Sequence, residues 1–456
     1  MPRVSLYCAR YNFESIKITP LGISYLAAYL IQQKIVGENE ICIVDNLDEV
    51  RRFKPDILGV SAVSQVIKDA QDFAKKCKEA FRCFTVLGGY HVSCIPQRLP
   101  KEFDIGVLGE GEKTFAEIVY LFKVNELSLE SLREIKGICY QKNNEIVTNE
   151  QRELFNNLDL LPRPYIHRQY SKEVPIVTSR GCPYRCIFCA SRTFWGDKYR
   201  LRSADSVVSE IDYLVNKYHP DRINILDDIW MFNKKRFQEI VDKLLKLKIP
   251  SKVSFVGFCR SSIIGEEEIA LLKKLNYQYL RFGAETGSDI LLKRLKGENI
   301  FIADHQRVID LCQKYKIKCG ASFMFGVPGE TKEDLEMTIN FLCKNRGKFI
   351  IMGFYFFNPI PGTEIWNWME KRHMVSENFQ FENLQIDFLK ENFSWDDLLY
   401  FNQDCVSLSE FREFIEKIKA EFIYGRLRKL LGKGLYKYLA KIYHLISEYK
   451  ISFGKD

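Results

Sequence analysis

Arg180-Gly181-Cys182-Pro183-Tyr184-Arg185-Cys186-Ile187-Phe188-Cys189-Ala190 is the stretch around which the chain is organised. Its cysteines stand at i, i+4 and i+7 in a short loop that carries glycine and proline, just after the apolar strand candidate Val174–Thr178. Three thiolates do not close a structural zinc site, which takes four ligands. They do hold three irons of a 4Fe–4S cluster and leave the fourth open. An open iron is a place for chemistry, so the arithmetic favours catalysis over scaffolding. The plainer alternative is three ordinary thiols, or a non-catalytic iron–sulfur or zinc protein with a fourth ligand elsewhere. No fourth cysteine stands nearby.

Downstream of the loop, strands and helices alternate. Ser203 opens a helix with Val207, Val208, Ile211, Leu214 and Val215 on one stripe. Strand candidates follow at 222–226, 253–258, 279–284, 321–325 and 354–357, with helices at 234–247, 266–275, 304–315 and 332–343 between them. Counting the strand before the cysteines, six parallel strands predict a partial (β/α)6 barrel. Polar residues gather at their carboxyl ends: Asp227-Asp228, Cys259-Arg260, Glu285-Thr286-Gly287, Ser322, and Gly326 to Glu330. Active sites of such barrels lie at those ends.

Upstream, short apolar strands at 4–7, 40–45, 56–61, 84–87 and 104–108 alternate with helical stretches such as 21–31 and 68–81. This predicts a Rossmann-like, doubly wound parallel sheet, which binds ligands beyond its strand ends. Those ends carry Ser61, Gly88-Gly89 and Gly109-Glu110-Gly111-Glu112. The expected division is 1–130 for this domain, 131–165 for a hairpin and Pro-rich linker, 166–365 for the barrel and 366–456 for a helical C-terminal cap. Helices are expected at 408–422 and 427–446, after an aromatic and acidic stretch at 374–389.

The composition bounds the rest. Net charge is +8 over 456 residues, with charges interspersed, so a nucleic-acid partner is disfavoured. The most basic segment, from Tyr424 to Lys441, suits a solvated helix face, with an anionic partner or substrate as the alternative. No apolar run reaches a membrane-spanning length, and the start of the chain does not read as a signal peptide. The expected location is the cytoplasm, where 14 cysteines are reduced thiols plus a metal site.

The cysteine spacing, with an aromatic before the last cysteine, resembles the radical S-adenosylmethionine (SAM) superfamily, and the resemblance runs over about 172–365. It implies a 4Fe–4S cluster on Cys182, Cys186 and Cys189, whose open iron chelates SAM and whose electron yields a 5′-deoxyadenosyl radical. It implies SAM contacts from Phe188 near the adenine, from Asp227 and Asp228 near the methionine portion, and from Glu285, Gly326 and Glu330. Arg260 and Ser322 join them as residues at strand ends. Family members often have Gly-Gly-Glu where this chain has Asp227-Asp228.

The first 130 residues resemble the cobalamin-binding domain that precedes many radical SAM domains. Ser61-x-Val63, 24 residues, then Gly88-Gly89 is close to the family spacing, and Glu110-Gly111 follows in order. In such domains a serine and paired glycines flank the dimethylbenzimidazole tail. The Asp-x-His-x-x-Gly element that supplies a cobalt ligand is absent. Together the two resemblances imply a cobalamin-dependent methyltransferase acting on an unactivated carbon. A small-molecule or peptide substrate, a one-electron donor such as flavodoxin or ferredoxin, and an anaerobic setting belong to the same expectation. The alternative within the superfamily is a dehydratase, cyclase or epimerase without functional cobalamin. A methylthiotransferase acting on tRNA is disfavoured, because the N-terminal cysteines fall on apparent strands and helices.

Overall fold

A computed structural model describes residues 1–9, 19–166, 172–376, 379–381, 394–395, 398–419 and 422. The expected helix at 427–446 and most of the aromatic, acidic stretch lie outside the described residues.

The first sheet holds β1 (Val4–Cys8), β2 (Ile41–Val44), β3 (Ile57–Ser61), β4 (Phe84–Gly88), β5 (Ile105–Val107), β6 (Ile138–Lys142) and β7 (Glu145–Thr148), in the order β2-β1-β3-β4-β5-β6-β7. Strands β1 to β5 run parallel. They read as unbroken apolar runs because helices cover both faces. The helix Ile67–Phe81, for example, buries Ala70, Phe73, Ala74 and Cys77. The chain reverses its winding between β1 and β3, and ligands bind at such a switch point.

One boundary needs correction. The hairpin β6–β7, expected as part of a linker, extends this sheet: Ile105, Gly106 and Val107 pair antiparallel with Tyr140, Cys139 and Ile138. Ile138, Cys139 and Tyr140 are buried. The apolar half of the hairpin therefore needs the sheet edge, and only the segment after it is a connector. That connector crosses the first domain, where the Tyr165 N–H donates to the Ser24 carbonyl at 3.0 Å.

The second sheet begins with β8 (Glu173–Ile176). A two-residue ladder follows, β9 (Ser179–Arg180) against β10 (Arg200–Leu201). Then come β11 (Arg222–Ile225), β12 (Ser254–Cys259), β13 (Tyr277–Glu285), β14 (Lys318–Phe325) and β15 (Ile350–Phe356). The order is β15-β14-β13-β12-β11-β8, all parallel, with a helix between each pair of neighbours. This is the expected six-stranded partial barrel. Its outer face carries the larger core, with Phe255, Phe282, Phe323 and Phe354 under the helices.

The described part of the C-terminal segment packs on both domains. The helix Leu408–Ile418 buries Phe411, Ile415 and Ile418 against the barrel core. Arg98 of the first domain reaches the Ser376 carbonyl at 2.9 Å. No helix among the described residues is long and apolar enough to cross a membrane.

Candidate functional site

The cysteine loop spans the gap between β9 and β10. Gly181 takes φ +89°, and a side chain there would collide with the Lys198 carbonyl, so only glycine makes this turn. The loop is pinned through its backbone: the Ile187 N–H donates to Leu295 at 3.0 Å, and the Ile187 carbonyl accepts from Ile365 at 3.0 Å. Cys182 and Cys186 are half-buried and Cys189 is exposed. Burial, with the charge of the neighbouring Cys186 thiol added, pushes the half-buried Cys182 up to about 11. Iron takes cysteine as thiolate, so ligation there would release the thiol protons. Among the described residues no three His, Cys, Asp or Glu side chains form a single-ion cage. Cys182, Cys186 and Cys189 share one loop, and three soft thiolates there would suit an iron–sulfur cluster rather than a single ion.

Arg260 stands against this loop. Its guanidinium lies 3.9 Å from the Tyr184 ring centroid, its Nη1 3.6 Å from Cys186 Sγ, and its Nη2 donates to the Lys296 carbonyl at 3.0 Å. A fixed positive charge there would offset the negative charge of thiolates and of a cluster held by them.

Between the two domains lies a cavity of about 1140 Å3, counting the space open to solvent. From the first domain it is lined by Gly22, Ser61, Gly88, Gly89, Glu110 and Gly111, and from the barrel by Val177, Arg180, Phe194, Trp195, Leu226 and Asp228. Two glycines show what the space is for. A Cβ on Gly22 would meet no atom within 4 Å, and one on Gly88 only the Val60 carbonyl at 3.9 Å. Neither absent side chain is needed for packing; each leaves the cavity open. Gly89 differs: φ is +95° and a Cβ would lie 2.7 Å from the Ala62 carbonyl, so it serves the turn. The wall that Gly22 and Gly88 leave bare has room for a flat heteroaromatic ring. Ser61, Gly88, Gly89, Glu110 and Gly111 thus come together as the sequence predicts, whereas Val63 is 39% exposed and does not line the cavity. Glu110 lines it with its carboxylate committed to Arg180 and Arg200.

The SAM candidates separate into two groups. Asp228 borders the cavity and accepts from Ser191 Oγ at 2.9 Å, its carboxyl pushed up by burial. Phe188 and Met324 pack on one apolar cluster. Ser322 is half-buried and pairs with Gly283 and Gly353. Glu285 ends β13 at φ +64° and meets Lys296 at 2.9 Å. Gly326, at φ +76°, lies over Tyr400, 3.2 Å from where its Cβ would be.

Asp227 and Glu330 work from behind. Asp227 takes the Thr178 N–H at 2.6 Å, Thr178 Oγ1 at 2.5 Å and Ser179 Oγ at 2.7 Å, leaving little for a ligand. It fixes the segment that leads into the cysteines. Replacing it with alanine strands a buried N–H and two hydroxyls, each worth about 1–3 kcal/mol. We expect Asp227→Ala to lower the melting temperature sharply before any cofactor is added.

Glu330 is fully buried; its Oε2 accepts from the Gly326 N–H at 2.6 Å and its Oε1 has no partner. Burial pushes its carboxyl from the usual 4.5 to about 8. The folded form therefore holds a proton that the unfolded chain loses near 4.5, so this group costs stability as pH rises from 4.5 to about 8. Glu330→Gln should remove that slope. Urea unfolding should show the variant gaining on the parent by up to ~4 kcal/mol at pH 8, and nothing at pH 4. A variant that instead loses stability in step with pH contradicts the neutral carboxyl.

Sequence reasoning missed Arg200 and Trp195, and it named Arg180, Glu112 and Tyr90 only as members of their motifs, without a role. Tyr90 stacks on Phe194 at 4.4 Å in the cavity wall. Arg180 and Arg200 hold Glu110 and Glu112 across the domain boundary. Only the position of Arg180 beside the cysteine motif hinted at a role.

Comparison with known proteins agrees with this geometry. The radical SAM superfamily profile matches residues 176–342 and the B12 binding domain profile residues 16–119. An uncharacterized methyltransferase of Pyrococcus horikoshii is 31% identical over 376 residues, covering 76% of this chain and 78% of that protein. An anaerobic magnesium-protoporphyrin IX monomethyl ester cyclase of Cereibacter sphaeroides is 27% identical over 306 residues, 64% of this chain but 50% of that protein. The radical SAM methyltransferase TsrM of Kitasatospora setae, solved with cobalamin and a [4Fe–4S] cluster bound, shares the fold at a TM-score of 0.68. It is 19% identical, with 82% of this chain and 75% of that one covered. With its cysteine loop at the end of β9 and its glycine-opened cavity against the first sheet, the chain belongs to the radical SAM superfamily, in the branch that carries an N-terminal B12-binding domain.

Proposed function

We propose that the chain is a cobalamin-dependent radical SAM methyltransferase that adds a methyl group to an unactivated carbon of a small-molecule or peptide substrate. The observation that carries this is the single cavity shared by the two domains, with side-chain-free Gly22 and Gly88 on one wall and Asp228 beside the cysteine loop on the other. When bound, the cluster and the corrinoid supply reductive cleavage of SAM and relay of its methyl group.

The residues divide the remaining work. Cys182, Cys186 and Cys189 hold the cluster, and Arg260 neutralises charge on it. Ser61 and Gly88 with Gly22 receive the tail of the corrinoid, Gly89 makes the turn beside them, and Gly111 keeps the helix start close to Leu26. Phe188, Asp228, Glu285, Ser322 and Gly326 form the SAM side. Asp227 and Glu330 brace that side, Glu110 braces the cavity wall, and Val63 takes no part. Tyr90, Phe194 and Trp195 keep water from the space between the cofactors. The reductant is a flavodoxin or ferredoxin type of protein, and the setting a cytoplasm low in oxygen.

The test uses anaerobically reconstituted protein, cobalamin, methyl-labelled SAM and a low-potential reductant, with no substrate. Label on the corrinoid together with S-adenosylhomocysteine supports methyl transfer. Deoxyadenosine without labelled corrinoid contradicts it and favours a radical rearrangement or cyclisation, as performed by the Cereibacter relative.

A further inference from the structure

The cysteine loop is closed at its base by two arginines. In the β9–β10 ladder Arg180 stands directly opposite Arg200, and both side chains are nearly buried, at 8% and 7% exposure. Like charges paired across strands oppose the ladder. The charge that reconciles them comes from the other domain. Glu110, in front of the helix Gly111–Lys123, accepts from Arg180 Nη1 at 2.6 Å and from Arg200 Nη1 at 2.9 and 2.8 Å. Glu112 accepts from Arg180 Nη2 at 2.6 Å. Two positive and two negative charges thus balance out of water.

The Trp195 ring, inside the loop, lies 5.6 Å from each guanidinium. The connector is tied in too: the Phe155 N–H donates to Glu110 at 2.7 Å, and its carbonyl accepts from Arg200 at 2.8 Å. Burial alone would raise the Glu110 carboxyl, but Arg180 and Arg200 bring it below its usual value.

These groups are also a wall of the cavity. Glu110, Glu112, Arg180 and Trp195 all line it. Whatever orders that wall orders the base of the loop, and the reverse holds.

We propose that Glu110 is a positioning residue that clamps the base of the iron-binding loop from the corrinoid domain, so that cobalamin and the cluster bind with positive coupling. This rests on the cavity being the cobalamin site, as argued above. Linkage makes the effect reciprocal: a filled cluster loop tightens cobalamin binding by the factor by which cobalamin tightens the cluster.

The experiment measures the dissociation constant of hydroxocobalamin for the full chain, iron-free and after anaerobic cluster reconstitution, at one ionic strength. About tenfold tighter binding is expected with the cluster in place. In Glu110→Gln, checked for folding by circular dichroism, the two constants should converge to within about twofold, because the clamp that carries the coupling is gone. Arg180→Lys keeps the charge but loses the fork by which Nη1 meets Glu110 and Nη2 meets Glu112; it should reduce the coupling, and it decides the matter if Glu110→Gln does not fold. Equal constants in the parent protein, or undiminished coupling in either folded variant, overturn the clamp. Failure of the parent to bind hydroxocobalamin in both iron states strikes the cobalamin assignment itself, a distinguishable result.

Discussion

Cys186→Ala should leave a folded protein that neither holds a cluster nor makes deoxyadenosine. Cys186 is the middle one of the three proposed ligands, and its sulfur is the one that Arg260 Nη1 approaches at 3.6 Å. Removing it leaves two thiolates for four irons. The loop itself survives, because its anchors are the backbone bonds of Ile187 to Leu295 and Ile365, which do not involve the thiol. The expected result after anaerobic reconstitution is iron near background in place of about four per chain. Deoxyadenosine formation should fall by more than ~100-fold, beyond the loss typical of an outer-shell change. The circular dichroism spectrum should not change. Retained cleavage of SAM would refute the cluster assignment.

Gly88→Leu should do the complementary thing. Gly88 ends β4 without a left-handed backbone, and a Cβ there meets nothing closer than 3.9 Å, so a side chain can be built without strain. It would project into the cavity where the tail of a corrinoid must lie. Bound cobalamin should fall by more than tenfold, since loss of that fit must exceed about 1.4 kcal/mol. Iron content, measured with iron and sulfide in excess, should stay near that of the parent, because the cysteine loop is anchored by the backbone bonds of Ile187 to Leu295 and Ile365, in which Gly88 has no part. The control is Gly89→Ala: at φ +95°, with the Ala62 carbonyl 2.7 Å from the new Cβ, it should destabilise the fold outright. Unchanged cobalamin binding in Gly88→Leu would place the corrinoid elsewhere.

Legibility in the sequence followed the range of the interactions. Alternating apolar strands and amphipathic helices made both sheets readable, since each element carries its own burial pattern: the helix Ala204–Tyr218 starts at Ser203, whose side chain accepts from the Ser206 N–H, and buries the expected stripe. The cysteine spacing was readable because all three thiols fall within eight residues of chain. Three things were not readable, and each depends on partners distant in sequence. The hairpin β6–β7 looks like a linker until β5 supplies its edge. Asp227 and Glu330 sit at strand ends, as ligand-binding residues do, but their oxygens turn to Thr178 and Gly326. The Arg180–Glu110 pair joins residues 70 positions apart in two domains, and no local pattern encodes it.

The measurement that bears most directly on the account is the cobalamin content of the reconstituted protein. The chain is loaded with iron and sulfide under anaerobic conditions, given hydroxocobalamin, desalted and read by its absorbance. Near one equivalent per chain is the predicted result. Near zero, with deoxyadenosine still formed from SAM, would contradict it and leave the cavity between the domains to some other ligand.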